Sequence, residues 1–158
     1  MNNLAQELTG DLSILRATRT NMLELLSNFS LEQVNQVPKG FNNNLAWNAG
    51  HCLVTQKLLT YGLSGHDTGL SSEMVAAYRK GSKPMGPISA DAWAEILEGL
   101  KASPDQMEKD LSALVWEEHK PYTTSYGVTI GHVRKGLCFN STHEGMHFGT
   151  MMAIAKMV

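Results

Sequence analysis

Between Leu4 and Phe29 the apolar residues fall at Leu4, Leu8, Leu12, Leu15, Met22, Leu26 and Phe29, in steps of three, four and seven. That spacing lines one face of an α-helix and conflicts with the two-residue alternation of a half-buried strand. The same period returns three more times. Asn44 is placed to cap a second helix, read as amphipathic, that Gly62 to Gly65 end. Ser89 caps a third, carrying Trp93, Ile96, Leu97 and Leu100. Its stripe resumes in phase at Met107, Leu111 and Leu114, so Pro104 either kinks this helix or starts a second segment. Thr129 is the expected cap of a fourth, with Val133, Leu137, Phe139, Met151 and Ile154 as its apolar contacts. Ser30 to Gln33 has the capping-box pattern of a short turn, which Pro38-Lys39-Gly40 stops, and Ser72 to Arg79 suits a brief helix. Tyr122 to Val128 reads as a plain connection. The expectation is an all-α four-helix bundle without strands, whose second-to-third connection, Gly62 to Ser89, is long enough to cross the bundle.

A chain of 158 residues with 42% hydrophobic content supports one domain, 1–158, with its own core. A formal net charge of −2 leaves no basic surface for nucleic acid. No apolar stretch approaches membrane-spanning length. Cys52 and Cys138 make no disulfide framework and are read as small buried hydrophobes in a reducing compartment. The start, Met1-Asn2-Asn3-Leu4, shows no basic region followed by an apolar run, so a cytoplasmic location is expected.

His143-Glu144-Gly145-Met146-His147 matches H-E-x-x-H. Histidines four apart share a helix face, so two imidazoles can take one ion while an adjacent Glu handles a proton. A zinc peptidase usually takes its third ligand downstream, and the tail from Phe148 to Val158 holds no His, Asp, Glu or Cys. That disfavours a peptidase and sends the search upstream. His66 and His119 sit in polar connections and read as solvated. His132 lies on the same helix, about 16 Å from His143 along the axis, too far for a shared ion. His51 remains, on a different helix, where a bundle would supply its third ligand.

Trp47-Asn48-Ala49-Gly50-His51 with Gln56, and Phe139-Asn140-Ser141-Thr142-His143-Glu144-Gly145-Met146-His147-Phe148-Gly149, resemble the signatures of the DinB-like superfamily. These are small bacterial four-helix-bundle metalloproteins related to thiol-dependent transferases. The resemblance spans nearly the whole chain. It implies the bundle fold, a metal triad of His51, His143 and His147, a homodimer, and a low-molecular-weight thiol as a co-substrate of relatives.

Three neutral imidazoles suit a divalent transition ion, with zinc or nickel foremost, and leave coordination positions open for a small-molecule substrate. Two functions follow: a metal-dependent transferase or hydrolase, or a non-catalytic, stress-associated bundle in which the ion staples helices. Glu144 points about 100° away from His143, so it either supports a ligand or metal water from behind or forms an interhelical salt bridge. Trp47, Asn48, Thr55, Phe139 and Thr150 either line the approach to the ion or are ordinary packing. Lys80 and Lys83 either steer an anion or keep their Gly/Pro loop soluble.

Overall fold

In the computed structural model, which describes residues 4–158, the N-terminal stripe turns inward as expected: Leu8, Leu12, Leu15, Met22 and Leu26 are all buried. The expected single helix is broken once, into α1 (Leu4–Glu7) and α2 (Thr9–Leu26), because Leu8 leaves helical geometry at ψ 15°. Its amide still bonds to the Leu4 carbonyl and its carbonyl to the Leu12 amide, so the stripe stays in phase. The first three residues, where the leader-free start was read, lie outside the described residues. A capping box at Ser30 and Gln33 opens α3 (Leu31–Asn35), and the Asn44 side chain caps α4 (Leu45–Thr60). Then come α5 (Ser72–Tyr78), capped by Ser71, and α6 (Ala90–Ala113), capped by Ser89. The chain closes with α7 (Val133–Ile154).

Helices α2, α4, α6 and α7 form the bundle, with α2 and α4 each packed against both α6 and α7. The connection from α4 to α6 crosses it and lays α5 against α4. Helix α4 is not amphipathic, contrary to the expectation. All its residues except Thr55, Lys57 and Leu58 are buried, since α3, α5, α6 and α7 surround it. Gly136 lets α7 approach this central helix closely: a Cβ there would lie 2.7 Å from the Leu59 carbonyl oxygen. No helix among the described residues is long and apolar enough to cross a membrane.

Three further expectations are corrected. The segment before α7 contains a small antiparallel ladder, β1 (Tyr122–Thr123) with β2 (Thr129–Ile130), too short to show alternation in sequence. Thr129 is therefore occupied in the ladder, facing Thr123. His132 caps α7 instead, its Nδ1 accepting from the Arg134 amide. Cys138 is exposed, because Leu137 takes the inward position and the next residue turns about 100° away.

Pro104 neither ends nor divides α6, which runs through it with Pro104 buried. The Leu100 carbonyl, which Pro104 cannot serve, accepts a long bond from the Ser103 hydroxyl at 3.4 Å. Ser103 in turn meets the residue that joins the bundle. Arg19 of α2 is 1% exposed and forms a bidentate pair with Glu144 of α7, at 2.8 Å from Nε and 2.7 Å from Nη2. Longer contacts of 3.4 Å run from Nη1 to Ser103 Oγ of α6 and from Nη2 to the Cys52 carbonyl of α4. Asn140, one turn before Glu144, donates to the same carboxylate at 2.7 Å. One guanidinium thus touches all four bundle helices.

Removing one member of such a pair leaves an uncompensated buried charge, whereas replacing both with apolar groups does not. Arg19→Ala or Glu144→Ala should lower unfolding stability in urea by about 3–5 kcal/mol. The double replacement Arg19→Met with Glu144→Leu should cost clearly less than either. Equal or additive losses in the urea midpoint would show that the pair is not the cross-link described.

Candidate metal centre

His51 is held from outside its own helix. A Cβ at Gly50 would lie 2.5 Å from the Tyr78 ring, so the bare glycine is what lets Tyr78 rest against α4. Tyr78 ends α5, and its carbonyl accepts from His51 Nδ1–H at 2.6 Å. Trp47, one turn earlier, stacks on the His51 ring at 4.6 Å with an 11° interplanar angle. With its Nδ1 proton fixed, His51 presents a bare Nε2.

The α7 pair meets it there. His147 Nδ1–H donates to Asn48 Oδ1 at 2.8 Å, while the Asn48 amide nitrogen donates to Asn43 Oδ1 and the Asn44 carbonyl. This chain of bonds orients the Asn48 amide and leaves the Nε2 of His147 bare as well. His143 Nε2 lies 3.1 Å from His51 Nε2, and the three rings pack with centroids 4.5 to 5.0 Å apart. One nitrogen from each ring falls within 4.8 Å of the others, so the cluster could hold a metal ion.

The donor set fits such an ion. A tetrahedral centre with bonds of about 2.0–2.1 Å separates its nitrogens by about 3.3 Å, close to the observed approach. His143 Nε2, at 3.1 Å from the His51 lone pair, either donates to it in the Nε2–H tautomer or offers its own lone pair to a cation held between them. His143 Nδ1 is buried with no hydrogen-bond partner among the described residues, so this ring is oriented by its neighbours alone.

Electrostatics keeps all three rings neutral and ligand-competent. Burial first, then His147, His51 and Arg19, pushes His143 down to about 3. Burial and His51 push His147 down to about 4, and burial lowers His51 against the opposing bond to Tyr78. Without metal, the folded chain therefore binds fewer protons than the unfolded chain below the ordinary histidine range. Stability should be fully present above about pH 6.5 and fall as pH drops toward 4. Thermal unfolding of chelator-treated protein across that window reads this directly. The triple variant His51→Gln, His143→Gln, His147→Gln should show a flatter dependence; an equally steep one would place the titration elsewhere.

The other histidines stay apart from the cluster, as expected, but they are not simply solvated. His66 is half-buried, donating to the Val115 carbonyl at 3.0 Å and meeting Trp116 edge-on. His119 is half-buried, donating to the Leu59 carbonyl at 3.3 Å. Glu144 takes the interhelical salt bridge of its two readings: its oxygens are committed to Arg19 and Asn140, with no bond to an imidazole. Asn48 proves to orient a ring rather than line an approach. Arg19 was missed, although the seven-residue step from Leu15 to Met22 passes over it at helical spacing. The Tyr78 carbonyl had no signal in sequence, because every residue carries one.

Comparison with known proteins agrees with this architecture. No curated protein matches the chain. The family model of the DinB superfamily matches residues 14–151, from within α2 to within α7, and takes in all three clustered histidines. An all-α bundle matched over that range, with its histidines gathered between α4 and α7, belongs to the DinB superfamily.

Proposed function

We propose that this chain is a metal-dependent enzyme acting on a small molecule, with His51, His143 and His147 holding one divalent transition ion, zinc or nickel. The observation that carries the reading is that the same three imidazoles line a cavity of about 200 Å³. A bound ion of this kind supplies Lewis acidity toward a carbonyl, a water or a thiol.

The chain's own groups prepare that chemistry. The Tyr78 carbonyl and Asn48 fix two imidazoles in the tautomer that offers Nε2. Trp47 covers one face of His51 and keeps water from it. Phe139, Leu59 and Met146 form apolar wall beside the cluster, favouring charge interactions over hydration. Transfer or hydrolysis is the reaction class, and the likeness to thiol-dependent relatives supports a low-molecular-weight thiol as co-substrate.

The second reading, an ion that staples helices, draws support from ligands on both α4 and α7. Those helices are already joined by the Asn48–His147 bond and the close approach at Gly136. Imidazoles that line a cavity leave room for a substrate beside the ion, which favours the enzyme.

The purified protein should retain about one transition ion per chain by elemental analysis. His51→Ala, His143→Ala and His147→Ala should each weaken affinity by more than Asn48→Ala, for which roughly 10- to 100-fold is expected. His66→Ala and His119→Ala should match the parent in competition with a colorimetric chelator. Parent-like affinity in His51→Ala would require a different ligand set.

We also propose a homodimer, on family likeness. Sedimentation showing only monomer at micromolar concentration would remove it.

A further inference from the structure

We propose that the cavity beside the three histidines takes a small organic anion with an apolar body, and that Lys80 selects its charge. The inference deepens the enzymatic reading and rests on it only for the added positive charge of the ion. Lys80 is the single charged side chain lining the cavity, and no carboxylate joins it there. It is exposed and makes no ion pair among the described residues, so its ammonium is available.

Its backbone is tied to the histidine cluster on both sides. Two residues earlier, the Tyr78 carbonyl accepts from His51. Two residues later, Ser82 Oγ accepts from Trp47 Nε1 at 3.1 Å and donates to the Ala77 carbonyl at 2.7 Å. Between them Gly81 adopts φ +88°, a left-handed turn that suits glycine, and the Ser82 amide closes the turn on the Arg79 carbonyl. A turn anchored this way fixes the backbone of Lys80 at the rim of the cavity, with its ammonium within reach of it. Lys83, three residues on, lines a different cavity.

The other walls describe the rest of the ligand. The β1–β2 hairpin also lines the cavity, with the hydroxyl-bearing residues Tyr122, Thr124 and Ser125, suited to an anion's remaining acceptors. Tyr126 meets Phe139 edge-on at 5.6 Å, giving an aromatic surface. An adjoining cavity of about 170 Å³ shares Thr55, Leu59, Lys80 and Tyr122 and adds Leu58 and Leu63. Lys80 thus stands where an apolar recess meets the imidazoles. Each cavity is smaller than the roughly 300–1,000 Å³ of a drug-sized site, which limits the ligand to a small molecule.

Phenylacetate and its neutral counterpart phenylacetamide are the probes, titrated by protein-observed NMR into metal-loaded and chelator-treated protein. Phenylacetate should bind about fivefold or more tighter than the amide. Lys80→Gln should remove that preference, Lys80→Arg should retain it, and Lys83→Gln should behave as the parent. The same ranking should hold, more weakly, without metal. Equal binding of the two probes, or unchanged preference in Lys80→Gln, overturns the proposal. Preference that appears only with metal and ignores Lys80 assigns anion binding to the ion, leaving the metal centre standing and Lys80 rejected. If no ion is retained but the Lys80 ranking persists, the metal reading falls and the anion site stands.

Discussion

A bidentate ion pair between Arg19 and Glu144, both essentially without solvent, is the constraint around which this bundle is arranged. Taking two charges out of water is costly, and the cost is offset only when their geometry is good and their remaining polar atoms are served. Those requirements recruit Asn140, from Glu144's own helix, on the carboxylate side, and one group from each of the two remaining helices, Ser103 of α6 and the Cys52 carbonyl of α4, on the guanidinium side. Ser103 also lets Pro104 sit inside α6, by donating to the carbonyl that the proline cannot serve. A slip of α2 or α7 by one turn would leave a buried charge without a partner, and a slip of α4 or α6 would withdraw a polar contact from the guanidinium. Register between the helices follows from that penalty.

The candidate metal centre depends on this register. Glu144 lies between His143 and His147, so whatever fixes the carboxylate against α2 also fixes the rotation of α7 that aims both imidazoles at α4. The Arg19 charge also helps hold His143 in its neutral form. Structural and chemical roles are therefore divided between neighbouring residues of one pentapeptide: Glu144 faces the core and the two histidines face the cavity. The acid of the H-E-x-x-H pattern serves here as a packing group, unlike the general base that the same letters denote in a zinc peptidase.

Two glycines do comparable work for α4. Gly50 admits the Tyr78 ring, which brings a carbonyl onto His51 Nδ1, and Gly136 admits the α4 backbone at Leu59. A helix buried along most of its length has little solvent face to tolerate misfit, and these contacts are made at the backbone itself. The crossing connection is therefore part of the site: α5 supplies the bond to His51, and the turn after it supplies Lys80.

The helical period, the caps at Ser30, Asn44 and Ser89, the long second-to-third connection and the convergence of His51 with His143 and His147 were all legible in sequence. The elements rest on local spacing, while His51 was reached by setting aside the other upstream histidines and by the family resemblance. What escaped was decided by contacts between segments far apart in the chain. The two-residue ladder displaced the expected cap from Thr129 to His132, because pairing with Thr123 claims Thr129 first. The burial of nearly all of α4 followed from how many elements surround it, which its own periodicity does not encode. Arg19 occupied an apolar-stripe position in plain view, but only the approach of α7 shows that a carboxylate waits there. Sequence determined which faces are apolar and which side chains can bind an ion. Tertiary structure alone decided which polar groups are buried together, since pairing in a dry interior depends on distance in space and not on distance along the chain.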